Sequence, residues 1–101
     1  MLEKDIQKKI KDYGEKKCGC RVFKFASPSR RAVMDLLIIS PYGVTGYLEV
    51  KRGGEVPTDQ QEHYQEIFKS QGCIVSWADN VENGKQFIND LLTYRLSKVS
   101  N

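Results

Sequence analysis

Residues 33–51 read Val33-Met34-Asp35-Leu36-Leu37-Ile38-Ile39-Ser40-Pro41-Tyr42-Gly43-Val44-Thr45-Gly46-Tyr47-Leu48-Glu49-Val50-Lys51. Two β-rich apolar runs flank Pro41-Tyr42-Gly43, a turn signature, so the stretch reads as a β-hairpin. Each run is interrupted by one acid, Asp35 in the first and Glu49 in the second. A three-residue loop pairs Ser40 with Val44, and Asp35 then faces Glu49. A slip of one residue leaves the two acids diagonal neighbours.

Directly opposed side chains have Cβ atoms about 4.5–5.5 Å apart, where like charges are destabilising. At roughly 5 Å and an effective dielectric near 20, the repulsion is about 3 kcal/mol. A divalent cation held between the carboxylates offsets it, and hard oxygen ligands suit Mg²⁺ or Mn²⁺. Lys51 follows two residues past Glu49 on the same strand face, where an ammonium can hold a water or a phosphate oxygen against the metal. Metal, lysine and a basic rim describe phosphodiester hydrolysis. The competing reading from spacing alone is a Lys51–Glu49–Asp35 charge cluster at a sheet end.

Outward from the hairpin, Leu2, Ile6, Ile10 and Tyr13 recur at helical spacing, which predicts an amphipathic helix over roughly residues 2–17, closed by Gly14 or Gly19. Glu3 lies beside its buried stripe, and an acid there also favours the helix dipole. Cys20–Phe25 reads as a strand and Ala26–Arg31 as a loop. After the hairpin, Arg52–Pro57 is a loop. Thr58 or Asp59 caps a helix with the apolar face Tyr64, Ile67, Phe68 and Gln71, ended by Gly72. Cys73–Ala78 is a fourth strand. Asp79 or Asn80 opens a last helix using Val81, Ile88, Leu91, Leu92 and Leu96. The order α-β-β-β-α-β-α predicts an α/β domain. A helix between the third and fourth strands implies a right-handed parallel pair beside the antiparallel hairpin, hence a mixed four-stranded sheet flanked by helices.

The chain has 101 residues, 29% of them charged, and a net charge of +3, enough for one domain over 1–101 with a single core. No apolar run approaches the roughly 18 residues of a membrane span, and the acidic amino terminus is not a secretory signal. A cytoplasmic protein without a membrane partner is expected. The charge is uneven: residues 1–31 hold ten bases against four acids, whereas residues 32–101 hold six bases and nine acids. A basic amino-terminal third suits a polyanion surface. A solvated lysine-rich helix face accounts equally well for the Lys4–Lys17 set. Arg30-Arg31, after the loop signature Ser27-Pro28-Ser29, is the more pointed pair, since arginines on a loop rim bind phosphate well.

Cys18, Cys20, Cys73 and His63 could fill a zinc shell in number, but the usual two-residue spacer and a partner histidine are missing. Reduced structural thiols are the plainer reading. His63 reads as exposed, and Trp77 and Phe87 as core or interface aromatics.

Asp35 followed by Glu49-Val50-Lys51, in this element order, resembles the PD-(D/E)xK nuclease core. Lys24-Phe25 through Ser27-Pro28-Ser29-Arg30-Arg31-Ala32-Val33-Met34-Asp35-Leu36 is similar to the entry to the catalytic strand of the VRR-NUC family. Gly43 through Tyr47-Leu48-Glu49-Val50-Lys51-Arg52-Gly53-Gly54 resembles its second motif, and Pro57-Thr58-Asp59-Gln60-Gln61 its glutamine motif. The likeness spans about residues 3–92 and implies a restriction-endonuclease-like core. Two positions depart from the family's common Gly-Val-Pro-Asp, namely Ala32 and Met34. The methionine leaves the acid in place. The alanine bears on how closely the Arg30-Arg31 loop approaches DNA.

The resemblance implies Asp35 and Glu49 as metal-binding acids with the Val50 carbonyl as a further ligand, and Lys51 as the catalytic lysine. It also implies Gln61 as the glutamine, with Gln60 competing, and Glu3 as the first-helix acid aimed at the site. Lys24, Ser27, Arg30, Arg31 and Arg52 are the expected DNA contacts. The implied activity is that of a Mg²⁺- or Mn²⁺-dependent endonuclease on branched DNA such as Holliday junctions. Stand-alone members are often viral and act as homodimers, which would place this chain in a host cytoplasm. Leu92, Tyr94 and Leu96 are the expected dimer contact. A DNA-binding domain that keeps the fold without cutting is the alternative.

Overall fold

In the computed structural model, residues 1–25 and 35–95 are described. Helix α1 (Glu3–Asp12) runs into one π-helical turn (Tyr13–Lys17), followed by β1 (Arg21–Lys24), β2 (Leu36–Ile39) and β3 (Thr45–Val50). Helix α2 (Asp59–Ser70), β4 (Ile74–Ala78) and α3 (Val81–Leu91) complete the chain. The sheet order is β1-β2-β3-β4. Strands β1, β2 and β3 are antiparallel neighbours, while β3 and β4 run parallel across the α2 connection. This is the mixed sheet of the α/β reading.

The hairpin closes as the turn signature requires. Ser40 N–H donates to Val44 O at 2.8 Å, and Gly43 takes a positive φ of 81° that a non-glycine residue adopts at a cost. Leu36 pairs with Leu48 and Ile39 with Thr45, which is the expected register. Alternation then divides the sheet. Val22, Leu36, Ile38, Leu48 and Val50 face α1 and α3 and form the core with Ile6, Ile10, Ile88 and Leu91. Asp35, Glu49 and Lys51 fall on the opposite face by the same period of two.

Three elements differ from the sequence reading. The first helix runs to Lys17 as expected, with Gly19 at a φ of 70° just past its end, but from Tyr13 it is a π turn, and Gly14, the other candidate stop, lies inside that turn against Ile88 and Val22. Helix α2 does not bury Tyr64, Ile67, Phe68 and Gln71. Its inward residues are Gln61 and Gln65, while Tyr64, Ile67 and Phe68 stay half-buried and Gln71 is exposed. The sheet face beneath this helix carries polar groups, among them Glu49 and the Ser76 carbonyl that Gln65 Nε2 reaches at 3.4 Å, so polar side chains turn inward. Helix α3 ends at Leu91; Leu92 is its cap and packs on the core, Tyr94 is exposed, and Leu96 lies outside the described residues.

Helices α1 and α3 cross closely because Gly84 has no side chain. A Cβ there would lie 2.2 Å from Ile10 Cδ1. That approach lets Ile6, Ile10, Ile88 and Leu91 interlock over the sheet.

Candidate active site

The site begins at the open end of the hairpin. Phe25 N–H donates to Asp35 O at 2.7 Å, continuing the β1–β2 ladder by one residue past Lys24 and Leu36. Asp35 therefore stands beside Phe25 on one side. On the other, its Oδ2 accepts from Val50 N–H at 2.8 Å. One further step of the β2–β3 register sets Asp35 opposite Glu49, and Glu49 pairs with Trp77 of β4. The resulting row across the sheet is Phe25, Asp35, Glu49, Trp77.

Glu49 is only 3% exposed, under the first turn of α2. Gln61 holds it there, its Nε2 donating to Glu49 Oε1. The same amide's Oε1 accepts from Lys51 Nζ at 3.3 Å and from Thr58 N–H at 2.9 Å. Thr58 Oγ1 accepts in return from Gln61 N–H at 3.2 Å, forming a capping box at the start of α2. Gln61 thus ties the helix terminus, the acid and the lysine together. Gln60 is exposed. The backbone of Lys51 is fixed as well, its N–H donating to Ala78 O at 2.8 Å beyond the last β3–β4 pair.

The electrostatics follow from burial. Burial above all pushes the Asp35 carboxyl up to about 6; the charge of Glu3 adds to this, while the Val50 N–H, Lys51 and Lys24 oppose it. Burial first, then the charges of Asp35 and Glu3, push Glu49 up to about 8 against Lys51 and the Gln61 amide. Both acids are shifted toward their protonated forms, as burial beside like charge requires.

Among the described residues, the buried side-chain polar atom left without a hydrogen-bond partner is Glu49 Oε2. A carboxyl oxygen withdrawn from water and unpaired is costly, and it fits a hard cation's ligand. Asp35 and Glu49, with the Val50 carbonyl, would supply oxygen donors suited to Mg²⁺ or Mn²⁺. Glu3 is not gathered with them as a third carboxylate: no set of three or more His, Cys, Asp or Glu among the described residues is placed to share an ion. Glu3 accepts from Gln7 Nε2 at 3.2 Å and acts on the pair through its charge. The zinc alternative fails on the same observation.

Of the expected DNA contacts, Lys24 is exposed at the end of β1, with its charge felt at Asp35. The Arg52 guanidinium meets Glu55 at 2.7 Å. Ser27, Arg30 and Arg31 lie outside the described residues. His63 is exposed on α2 and packs edge-on against Tyr64. Sequence reasoning missed Thr58 as the residue whose backbone orients Gln61, and Gln7 as the partner of Glu3. The Thr58-x-x-Gln61 spacing is a capping-box signal that was there to be read.

No protein-family model matches the chain. Over 46 residues it is 44% identical to "Putative nuclease p44" of Acyrthosiphon pisum secondary endosymbiont phage 1. That alignment covers 46% of this chain and spans half the length of the phage protein. A solved structure described as "VRR_NUC domain" superposes with a TM-score of 0.77 at 29% identity, covering 88% of this chain and 96% of the other. No helix among the described residues is long and apolar enough to cross a membrane.

Proposed function

From its likeness to a solved VRR_NUC domain and to a phage protein named as a putative nuclease, we propose that the chain is one VRR-NUC nuclease domain over residues 1–101, a Mg²⁺- or Mn²⁺-dependent endodeoxyribonuclease that hydrolyses phosphodiester bonds in branched DNA such as Holliday junctions. The observation that carries this reading is Glu49, buried with an unpartnered oxygen in the same row as Asp35. A domain that only bound DNA would gain nothing from burying two opposed acids.

The divalent ion, held by Asp35, Glu49 and the Val50 carbonyl, would polarise a phosphoryl oxygen and lower the pKa of a water. The chain's own residues prepare the rest. Gln61 holds Glu49 Oε1 and so leaves Oε2 available. It also positions the Lys51 ammonium, which donates hydrogen bonds to an attacking water or a phosphate oxygen and offsets charge that builds at phosphorus. Glu3 adds negative potential that strengthens cation binding. Lys24 and Arg52, with Ser27, Arg30 and Arg31, contact the phosphate backbone and set the register of the duplex. Two such domains about a dyad present two sites to paired strands, which favours a homodimer on a branched substrate. The setting is the cytoplasm, a host's if the chain is viral.

The test is incubation with a four-way junction and with linear duplex in Mn²⁺. Nicking confined to the junction and lost in Asp35→Ala and Lys51→Ala is the expected result. Retained binding without nicking would make the chain a DNA-binding domain that has kept the nuclease fold.

A further inference from the structure

Among the described residues, α2 roofs the β4 side of the face that carries the acids, lying against β4 and over Glu49. The β1 side stands open among the described residues. Phe23 is 51% exposed there and Phe25 42%, although of the chain's four phenylalanines Phe87 is buried and Phe68 half-buried. Phe23 pairs with Leu37, which pairs with Tyr47; both of these are half-buried, so an apolar row runs beside the row of acids. Phe25 occupies the acid row itself, its backbone bonded to that of Asp35.

The strand that bears these rings reads Arg21-Val22-Phe23-Lys24-Phe25, with both basic residues exposed and only Val22 in the core. By the period of two, Arg21 lies on the face of the two rings and Lys24 on the other, with its charge still felt at Asp35. Exposed rings beside cations are a surface to which single-stranded nucleic acid binds, bases stacking on the rings while the cations follow the backbone. A duplex does not suit it, because paired bases keep their faces within the stack. Edge strands commonly carry charge as protection against pairing, which explains Arg21 and Lys24 but leaves two exposed phenylalanines unexplained.

We propose that Phe23 and Phe25 form a base-stacking platform for unpaired DNA nucleotides next to the cleaved phosphate. This inference rests on the nuclease reading and narrows its substrate to branched DNA with unstacked bases at the cut. Side chains two residues apart on a strand are about 6.6 Å apart, roughly twice the 3.4 Å step of stacked bases. The platform therefore takes bases that have come out of the helical stack, one to each ring.

The test is fluorescence anisotropy in EDTA, where nothing is cut, with labelled oligothymidine and a duplex of equal length. Phe23→Ala and Phe25→Ala should each weaken oligothymidine binding by about five- to a hundredfold. The salt dependence should stay unchanged, because no cation is lost, and duplex binding should shift less than twofold. Phe25→Trp should restore single-strand binding. Both rings are exposed, so circular dichroism should show native fold content in every variant. Equal losses on both DNAs, no loss on oligothymidine, or a wild-type chain that binds neither would overturn the proposal. So would sedimentation equilibrium showing that the alanine variants split a dimer at undiminished DNA affinity, since the rings would then meet a second copy. Failure of Mn²⁺-dependent nicking with these binding differences intact would sink the nuclease reading and leave the platform standing.

Discussion

Asp35 accepts a hydrogen bond from the backbone N–H of Val50, so the first acid is anchored between the second acid and the lysine. The contact uses one carboxylate oxygen and no charge of β3. Asp35→Asn retains an acceptor there and should fold with stability within about 1 kcal/mol of the parent. It removes a ligand oxygen's charge and should lower Mn²⁺-dependent cleavage by about 100-fold or more. Relief of the charge next to Glu49 should also bring that carboxyl down from about 8. Carboxyl ¹³C titration beside a cleavage assay checks both; full activity in the asparagine variant places the chemistry elsewhere.

Stability in the absence of metal should fall as pH rises. Asp35 and Glu49 have folded-state values of about 6 and about 8, above their ordinary 3.8 and 4.5. In that window the folded chain binds more protons than the unfolded one, so the unfolding free energy declines with pH. These acids should disfavour folding least below about pH 4 and most above about pH 8. Urea midpoints in EDTA measure the slope, which Glu49→Gln should flatten. Added Mn²⁺ should raise the midpoint of the parent more at high pH than at low pH, because its ligands must be deprotonated.

Gln61 joins three groups, and its loss should exceed that of an ordinary polar side chain. Gln61→Ala frees Glu49 Oε1, Lys51 Nζ and Thr58 N–H together. A destabilisation of about 1–3 kcal/mol is expected from the buried groups left unpaired. Cleavage should fall by about 10-fold or more as Lys51 loses its fixed position. Gln60→Ala, at an exposed neighbour, should change neither. Thermal melts and single-turnover rates separate the two variants.

Gly84 limits how α1 meets α3. Gly84→Ala gains about 1 kcal/mol of helix propensity, yet its Cβ would fall 2.2 Å from Ile10 Cδ1 in a filled core. Overpacking of this kind costs about 1–3 kcal/mol, so a net loss is expected. The site lies on the other face of the sheet, and DNA affinity should hold wherever the variant is folded. Denaturant unfolding checks the first claim and anisotropy the second.

The hairpin was the most legible part of the chain because a turn signature, two apolar runs and an alternation with a period of two all specify one register. That register sets Asp35 against Glu49. Helix α2 was less legible. Its buried face is glutamine, and a hydrophobic period cannot report a helix that packs on a polar, functional surface. The π turn was hidden for a similar reason: Gly14 signals a helix end locally, whereas its packing against Ile88 and Val22 comes from distant segments. Lys51 could be named from its spacing, and Gln61 only from the family resemblance. Their shared hydrogen bond depends on how far α2 leans over β3, and no local pattern encodes that.

The cap that starts α2 and the clamp on Glu49 are made by one amide. Fraying of that first turn, the least costly opening a helix undergoes, would release acid and lysine at once while the sheet stayed intact. Heat should therefore silence the enzyme some degrees before it melts the protein, and whatever braces Thr58 and Gln61 should widen its working range without touching the reacting groups.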